Sequence, residues 1–297
     1  MSATIVAAPD APGGRPRGLA IALAAAFLWS LTGVMVRLIE AASTWQIVFY
    51  RSLFIALALG LYLAWRYRGG VVRAFRAIGW LGVLAGCLVG VGFTAYLTAI
   101  TNTTIANASF LVTTTPLIAA LLARVALGER VARRTWIVMV VALAGVAIMV
   151  VEGFALGGWI GNLAALAAAA CQAAYTVALR RGRAVDMTPA LCWGSVVATF
   201  LGALFVESFA ISTYDAGVCL MVALVSTALG NVLFVVATRY IGAAELSLLC
   251  LSEVVMSPLW VWFAFAERPT EWALLGGLVV LGAVLLHVAG QVRGAAR

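Results

Sequence analysis

Glu253 stands near the middle of an apolar run, residues 243–266. A carboxyl group at the centre of a membrane helix costs several kcal/mol unless it is paired, hydrated or protonated, so it is read first as a functional group. Two uses fit: holding a substrate ammonium group, or carrying a coupling proton. The structural alternative is a hydrogen-bonded carboxyl that ties two helices together. Arg51 lies under two turns inside another run, 45–65. It could receive a substrate carboxylate, but the stronger reading is snorkelling to the membrane interface or a tie to a helix C-terminus. Arg124 and His287, the only histidine, lie near run ends and read as an anchor and a structural interfacial residue.

Less polar groups surround these charges. Ala106, Ser109, Thr113 and Pro116 recur at helical spacing and form one stripe. Small and hydroxyl-bearing residues suit close helix packing, and they also suit a hydrated wall. Pro116 frees a backbone carbonyl for substrate, water or a neighbouring helix. Pro116 and Pro258 are therefore candidate kink or gating points. Aromatic and amide residues at mid-depth are Trp29, Tyr96, Gln172, Tyr175, Trp193 and Asn231. They could line a pocket for an amino acid with a ring, or they could be ordinary packing and interfacial residues. The candidate substrate-binding set is Trp29, Tyr96, Ser109, Thr113, Gln172, Tyr175, Asn231 and Glu253. Gly82, Gly86 and Gly90 read as helix packing.

Other chemistries are excluded or demoted by what is missing. The chain has no lysine, so neither a Walker A phosphate loop nor Schiff-base chemistry is available. One histidine allows no pair or triad, and no enzyme activity is expected. The cysteines, Cys87, Cys171, Cys192, Cys219 and Cys250, lack metal-ligand spacing and read as small apolar packing residues. No cofactor and no metal are expected. Phosphorylated substrates would call for several deep cations, and only Arg51 qualifies.

The elements that position these residues follow from composition. Hydrophobic residues make up 65% of the chain, charged residues 10%, and mean hydropathy is +1.10. A soluble domain is about 45–50% apolar, so the solvent of this fold is lipid. A crossing helix needs about 20 mostly apolar residues. Ten runs qualify: 18–37, 45–65, 78–100, 105–127, 134–151, 157–179, 188–206, 214–238, 243–266 and 271–287. They are continuous rather than alternating, hence helices and not barrel strands. The first is too long for a secretory signal core, and nine more follow.

The net charge of +8 is carried entirely by arginine. It does not point to nucleic acid. Placing the N-terminus inside puts Arg15, Arg66, Arg130, Arg180, Arg239 and most other arginines in inner segments, with only Arg37 and Arg268 outside. That is the positive-inside pattern. It predicts an inner (plasma) membrane protein with both termini cytoplasmic.

The halves resemble each other. Residues 92–130 lie over 230–268 at an offset of 138: Gly92 meets Gly230, Ser109 meets Ser247, and Glu129-Arg130 meets Glu267-Arg268. Ser30 onward lies over Ala173 onward at an offset of about 143. Five spans per repeat is odd, so the second copy is inverted. Inverted repeats are the usual architecture of secondary transporters, with the substrate near the midplane. The expected divisions are a disordered tail at 1–17, repeats at 18–151 and 157–290, and a tail at 291–297.

The stretch Ala106-x-x-Ser109-x-Leu111 with Pro116-Leu117, Leu121 and Leu127-Gly128-Glu129-Arg130 resembles the signature of the EamA-type drug/metabolite transporter superfamily. So does Glu253-Val254-Val255-Met256-Ser257-Pro258-Leu259-Trp260 with Glu267-Arg268, and Gly161-Asn162-Leu163 with Ala174-Tyr175 resembles the start of that family's second repeat. The likeness covers nearly the whole chain and leans toward aromatic amino-acid exporters of the YddG type. It implies an all-α membrane fold of ten helices, two inverted five-helix repeats around a central cavity, with the fifth and tenth helices peripheral. It implies export of small metabolites, aromatic or other neutral amino acids first, by alternating access. The alternative cargo is a lipophilic cationic drug drawn to Glu253. Protons are a candidate coupling ion. One departure stands out: Val254 occupies the place of Pro116, and Pro258 comes one turn later, which leaves room for different kink positions in the two halves.

Overall fold

The computed structural model describes residues 14–103, 105–151, 158–266 and 270–295. Among them all regular structure is helical. The helices are α1 Gly14–Ser30, α2 Thr32–Val36, α3 Thr44–Tyr67, α4 Val71–Ala77, α5 Gly79–Asn102, α6 Ile105–Val112, α7 Thr115–Leu127 and α8 Arg133–Met149. The second half holds α9 Trp159–Arg181, α10 Thr188–Phe205, α11 Thr213–Met221, a π-helical segment Val222–Ala228, α12 Leu229–Ala237, α13 Ala243–Cys250, α14 Ser252–Phe265 and α15 Glu271–Ala295. Consecutive pieces combine into ten spans. Nine have the length and hydropathy of membrane helices, and α8, with 17 residues, is the shorter tenth.

Local signals set the ends. Ser43 and Gln46 form a capping box at the start of α3, satisfying two of the helix's free N–H groups. Ser212 accepts from the Asp215 amide at the start of α11. Gly128, at φ 68°, closes α7 in the left-handed conformation that glycine tolerates. Two ends run past expectation. α1 begins at Gly14, inside the segment expected as tail, and α15 continues to Ala295. Residues 1–13 of the expected tail and the Glu267-Arg268 pair of the repeat lie outside the described residues.

The repeat is visible in packing. A Cβ on Gly92 of α5 would lie 2.8 Å from the Cys171 Cβ of α9, and one on Gly230 of α12 would lie 2.7 Å from the Trp29 ring of α1. The matched glycines thus let the third span press on the sixth and the eighth on the first. α5 also packs along α10, and α10 along α3. α8 and α15, the fifth and tenth spans, pack chiefly on each other, with Gly276 meeting the Gly145 carbonyl. Large apolar side chains such as Trp80 (75% exposed) and Val125 (87%) cover the outside. Lipid, not water, matches such a surface.

The fourth and ninth spans both break, and at the same repeat position. The first breaks at Thr113–Thr114 and the second at Leu251, which is 113 plus the offset of 138. Pro116 sits in the first turn of α7, directly after the break. Pro258 instead lies inside α14, seven residues past the break. The kink positions therefore coincide, although the prolines do not.

Candidate substrate site

α14 begins at mid-span and carries Glu253 in its first turn, where free backbone N–H groups favour a carboxylate. The side of α14 that meets the first span is pinned by two contacts. Trp260 Nε1 donates to Ser30 Oγ at 2.8 Å, and the Phe27 and Trp260 rings meet edge-on. Glu253 is half-buried and has no ion pair or hydrogen bond among the described residues. Tyr96 of α5 lies close to both the Ser109 hydroxyl of α6 and the Glu253 carboxyl. The third, fourth and ninth spans thus bring three of the sequence-derived candidates together.

A second group forms around Phe234. Trp29 lies 5.1 Å from its ring and Tyr175 stacks on it at 6.2 Å and 7°. Trp29, Gln172 and Asn231 are half-buried. Tyr175 differs: its exposure is 0%, and its hydroxyl finds no partner among the described residues. In this conformation it offers no surface to a solute and belongs to the core with Phe234 and Leu179. Trp193 packs over Gly86, between α5 and α10, away from both groups.

The hydroxyls at the first helix break turn toward the backbone. Thr113, Thr114 and Thr115 donate to the carbonyls of Phe110, Leu111 and Val112, each at 2.6 Å. The Val112 carbonyl is the one Pro116 frees, so Thr115 takes the place expected for substrate or water. Thr113 is buried as well. Pro258 borders an apolar cleft of ≈ 240 Å³ between α14 and α15 with Val255, Leu274, Leu278 and Leu281, and none of the polar candidates lines it.

Arg51 does not snorkel. Its guanidinium sits 3.8 Å over the ring of Phe93 on α5, and its Nε has no hydrogen-bond partner among the described residues. Several other arginines among the described residues pair at helix ends. Arg180 bonds Glu129 at 2.9 Å and the Thr238 carbonyl at 2.7 Å. Arg15 pairs with Glu245 at 3.0 Å, and Arg66 and Arg239 approach Asp186 at 3.6 Å. Burial opposes the charge on Asp186, but bonds from the Thr188 hydroxyl and amide and from Tyr67, with Arg239 nearby, outweigh it and hold this carboxyl below its ordinary range.

The chain matches the EamA-like transporter family over residues 16–151 and 159–289, one block for each repeat. It belongs to that family. The pseudopaline exporter CntI of Pseudomonas aeruginosa is 26% identical over 277 residues, covering 90% of this chain and 94% of that protein. Protein RarD of Escherichia coli is 27% identical over 134 residues, 44% of this chain and 45% of its own. A crystal structure of 20% sequence identity superposes with a TM-score of 0.79, covering 94% of this chain and 98% of that one, and shares the fold. This EamA-like chain is therefore a multi-pass membrane transporter.

The buried pair of Glu245 and His287 was not among the candidates for the site. Glu245 is buried and bonds His287 at 3.1 Å as well as Arg15. His287 is thus a buried structural residue linking α15 to α13. The repeat offset held the signal: Glu245 falls over Asn107, which is also a buried polar residue.

Proposed function

We propose that this EamA-like chain exports a small zwitterionic metabolite, an aromatic amino acid first, by alternating access where the repeats meet. The observation that carries this reading is Glu253, half-buried and unpaired among the described residues, beside Tyr96 and Ser109 where three spans converge. A carboxyl at that depth without a protein cation suits a ligand's ammonium group. Trp29 on Phe234 supplies an aromatic wall nearby, and Gln172 and Asn231 supply amides. Helices broken at mid-span are the usual place for substrate in such folds. The similarity to a pseudopaline exporter supports outward movement of a metabolite. The arginine distribution supports cytoplasmic termini in a plasma membrane, and Glu253 is the group through which protons would couple.

A second cargo class draws on the same observation: a lipophilic cation would also be held by Glu253 and the rings. The test is efflux from proteoliposomes loaded with phenylalanine, tryptophan, threonine, lysine, a nucleoside, a sugar phosphate or a lipophilic cation. Saturable efflux of phenylalanine and tryptophan, absent from empty liposomes, is expected. Movement of the cation alone would give the site to drugs.

A further inference from the structure

We propose that Arg51, seated on the ring of Phe93, is a carboxylate-binding subsite, so that the cargo must carry a free acid group. This deepens the amino-acid reading and rests on it only for the identity of the rest of the molecule. Arg51 is seven residues inside Thr44, the start of α3, about 10 Å along the helix. Its guanidinium points across to α5, 3.8 Å above Phe93. A cation withdrawn from water is normally paired or bonded, and the Arg51 Nε is buried without a partner among the described residues. Arg51 has the ring beneath it and Cys219, a thiol, nearby, and it has no carboxylate partner among the described residues. A cation–π contact offsets some of the burial cost and leaves the planar fork of donors free to take a carboxylate in two parallel bonds.

The neighbouring charge gives the subsite its direction. Phe93 and Tyr96 are three residues apart on α5, hence on one side of it. Arg51 lies over the first and Glu253 lies close to the second. A cation and an anion set along one side of a helix match the two ends of a zwitterion.

The experiment is thermal unfolding of the purified protein titrated with phenylalanine, phenylalaninamide, 3-phenylpropionate, and sodium chloride or phosphate at equal ionic strength. Phenylalanine and phenylpropionate are expected to raise Tm saturably and the amide to do so at least about tenfold more weakly. Arg51→Gln should abolish the preference and Arg51→Lys should keep some of it. If Arg51→Gln does not fold, the comparison of acid with amide on the unaltered protein and on Arg51→Lys still decides. Equal stabilisation by acid and amide, no stabilisation by any acid, equal effects of chloride or phosphate, or a preference intact in Arg51→Gln would each overturn the proposal. Stabilisation by phenylpropionate but not phenylalanine, lost in Arg51→Gln, would uphold the subsite and contradict the amino-acid reading.

Discussion

Glu253 and Thr115 hold the same place in the two repeats, one residue short of Pro116 and its counterpart Val254. Thr115 commits its hydroxyl to the Val112 carbonyl, whereas Glu253 has no bond among the described residues. The asymmetry singles out the carboxyl as the group available for work. Glu253→Gln should therefore flatten the pH dependence of transport while leaving the protein folded; a variant that keeps the full pH profile would remove Glu253 as the coupling site. Asp186 gives a prediction of the opposite kind. Its carboxyl is held below its ordinary range by Thr188, Tyr67 and Arg239, so its stabilisation is complete above the ordinary aspartate range and is lost as pH falls through the depressed value. Asp186→Asn should cost about 1–3 kcal/mol near neutral pH, and melting curves should converge with wild type in acid. Glu253 was legible in the sequence because a charge in an apolar run stands out by type alone. The directions of Tyr175 and Arg51 were not legible, because residue type does not say which way a helix faces. Tyr175 turns into the core and Arg51 onto Phe93, and both directions are set by neighbouring helices.

At the level of elements, the ten spans were plain from hydropathy, and the repeat from Gly92 over Gly230. Their pairing was not, since it depends on contacts between distant segments. The glycines explain it afterwards. Each leaves no room for a Cβ against the span facing it, so Gly92→Val and Gly230→Val should each destabilise by about 1–3 kcal/mol through overpacking. The check is Tm in detergent, and two variants of unchanged Tm would contradict the close approach. The helix breaks carry a similar lesson. Proline alone does not mark them, since the ninth span breaks at Leu251 with its proline seven residues away. Its 3₁₀-type bonds, Leu251 to Leu248 and Val254 to Leu251, parallel those of Thr114 and Leu117 in the fourth span. The break belongs to the repeat, and Pro116 reinforces only one copy.

Across the whole molecule, charges cross between the repeats on one face. Arg15–Glu245, Glu129–Arg180 and Arg66–Asp186 each join one repeat to the other at the arginine-rich end. At the opposite end the Asp215 carboxylate accepts from the amides of Glu40, Ala41 and Ala42, again across the repeats. A carrier that alternates access must open either of these sets while the other stays closed. Reorientation of one loaded site is what sets such a carrier apart from an open pore. The most direct test is counterflow: proteoliposomes loaded with unlabelled phenylalanine are diluted into labelled phenylalanine. A transient accumulation of label above its equilibrium level is predicted, because a site that reorients exchanges one molecule for another. A monotonic rise to equilibrium, unaffected by the internal load, would contradict alternating access.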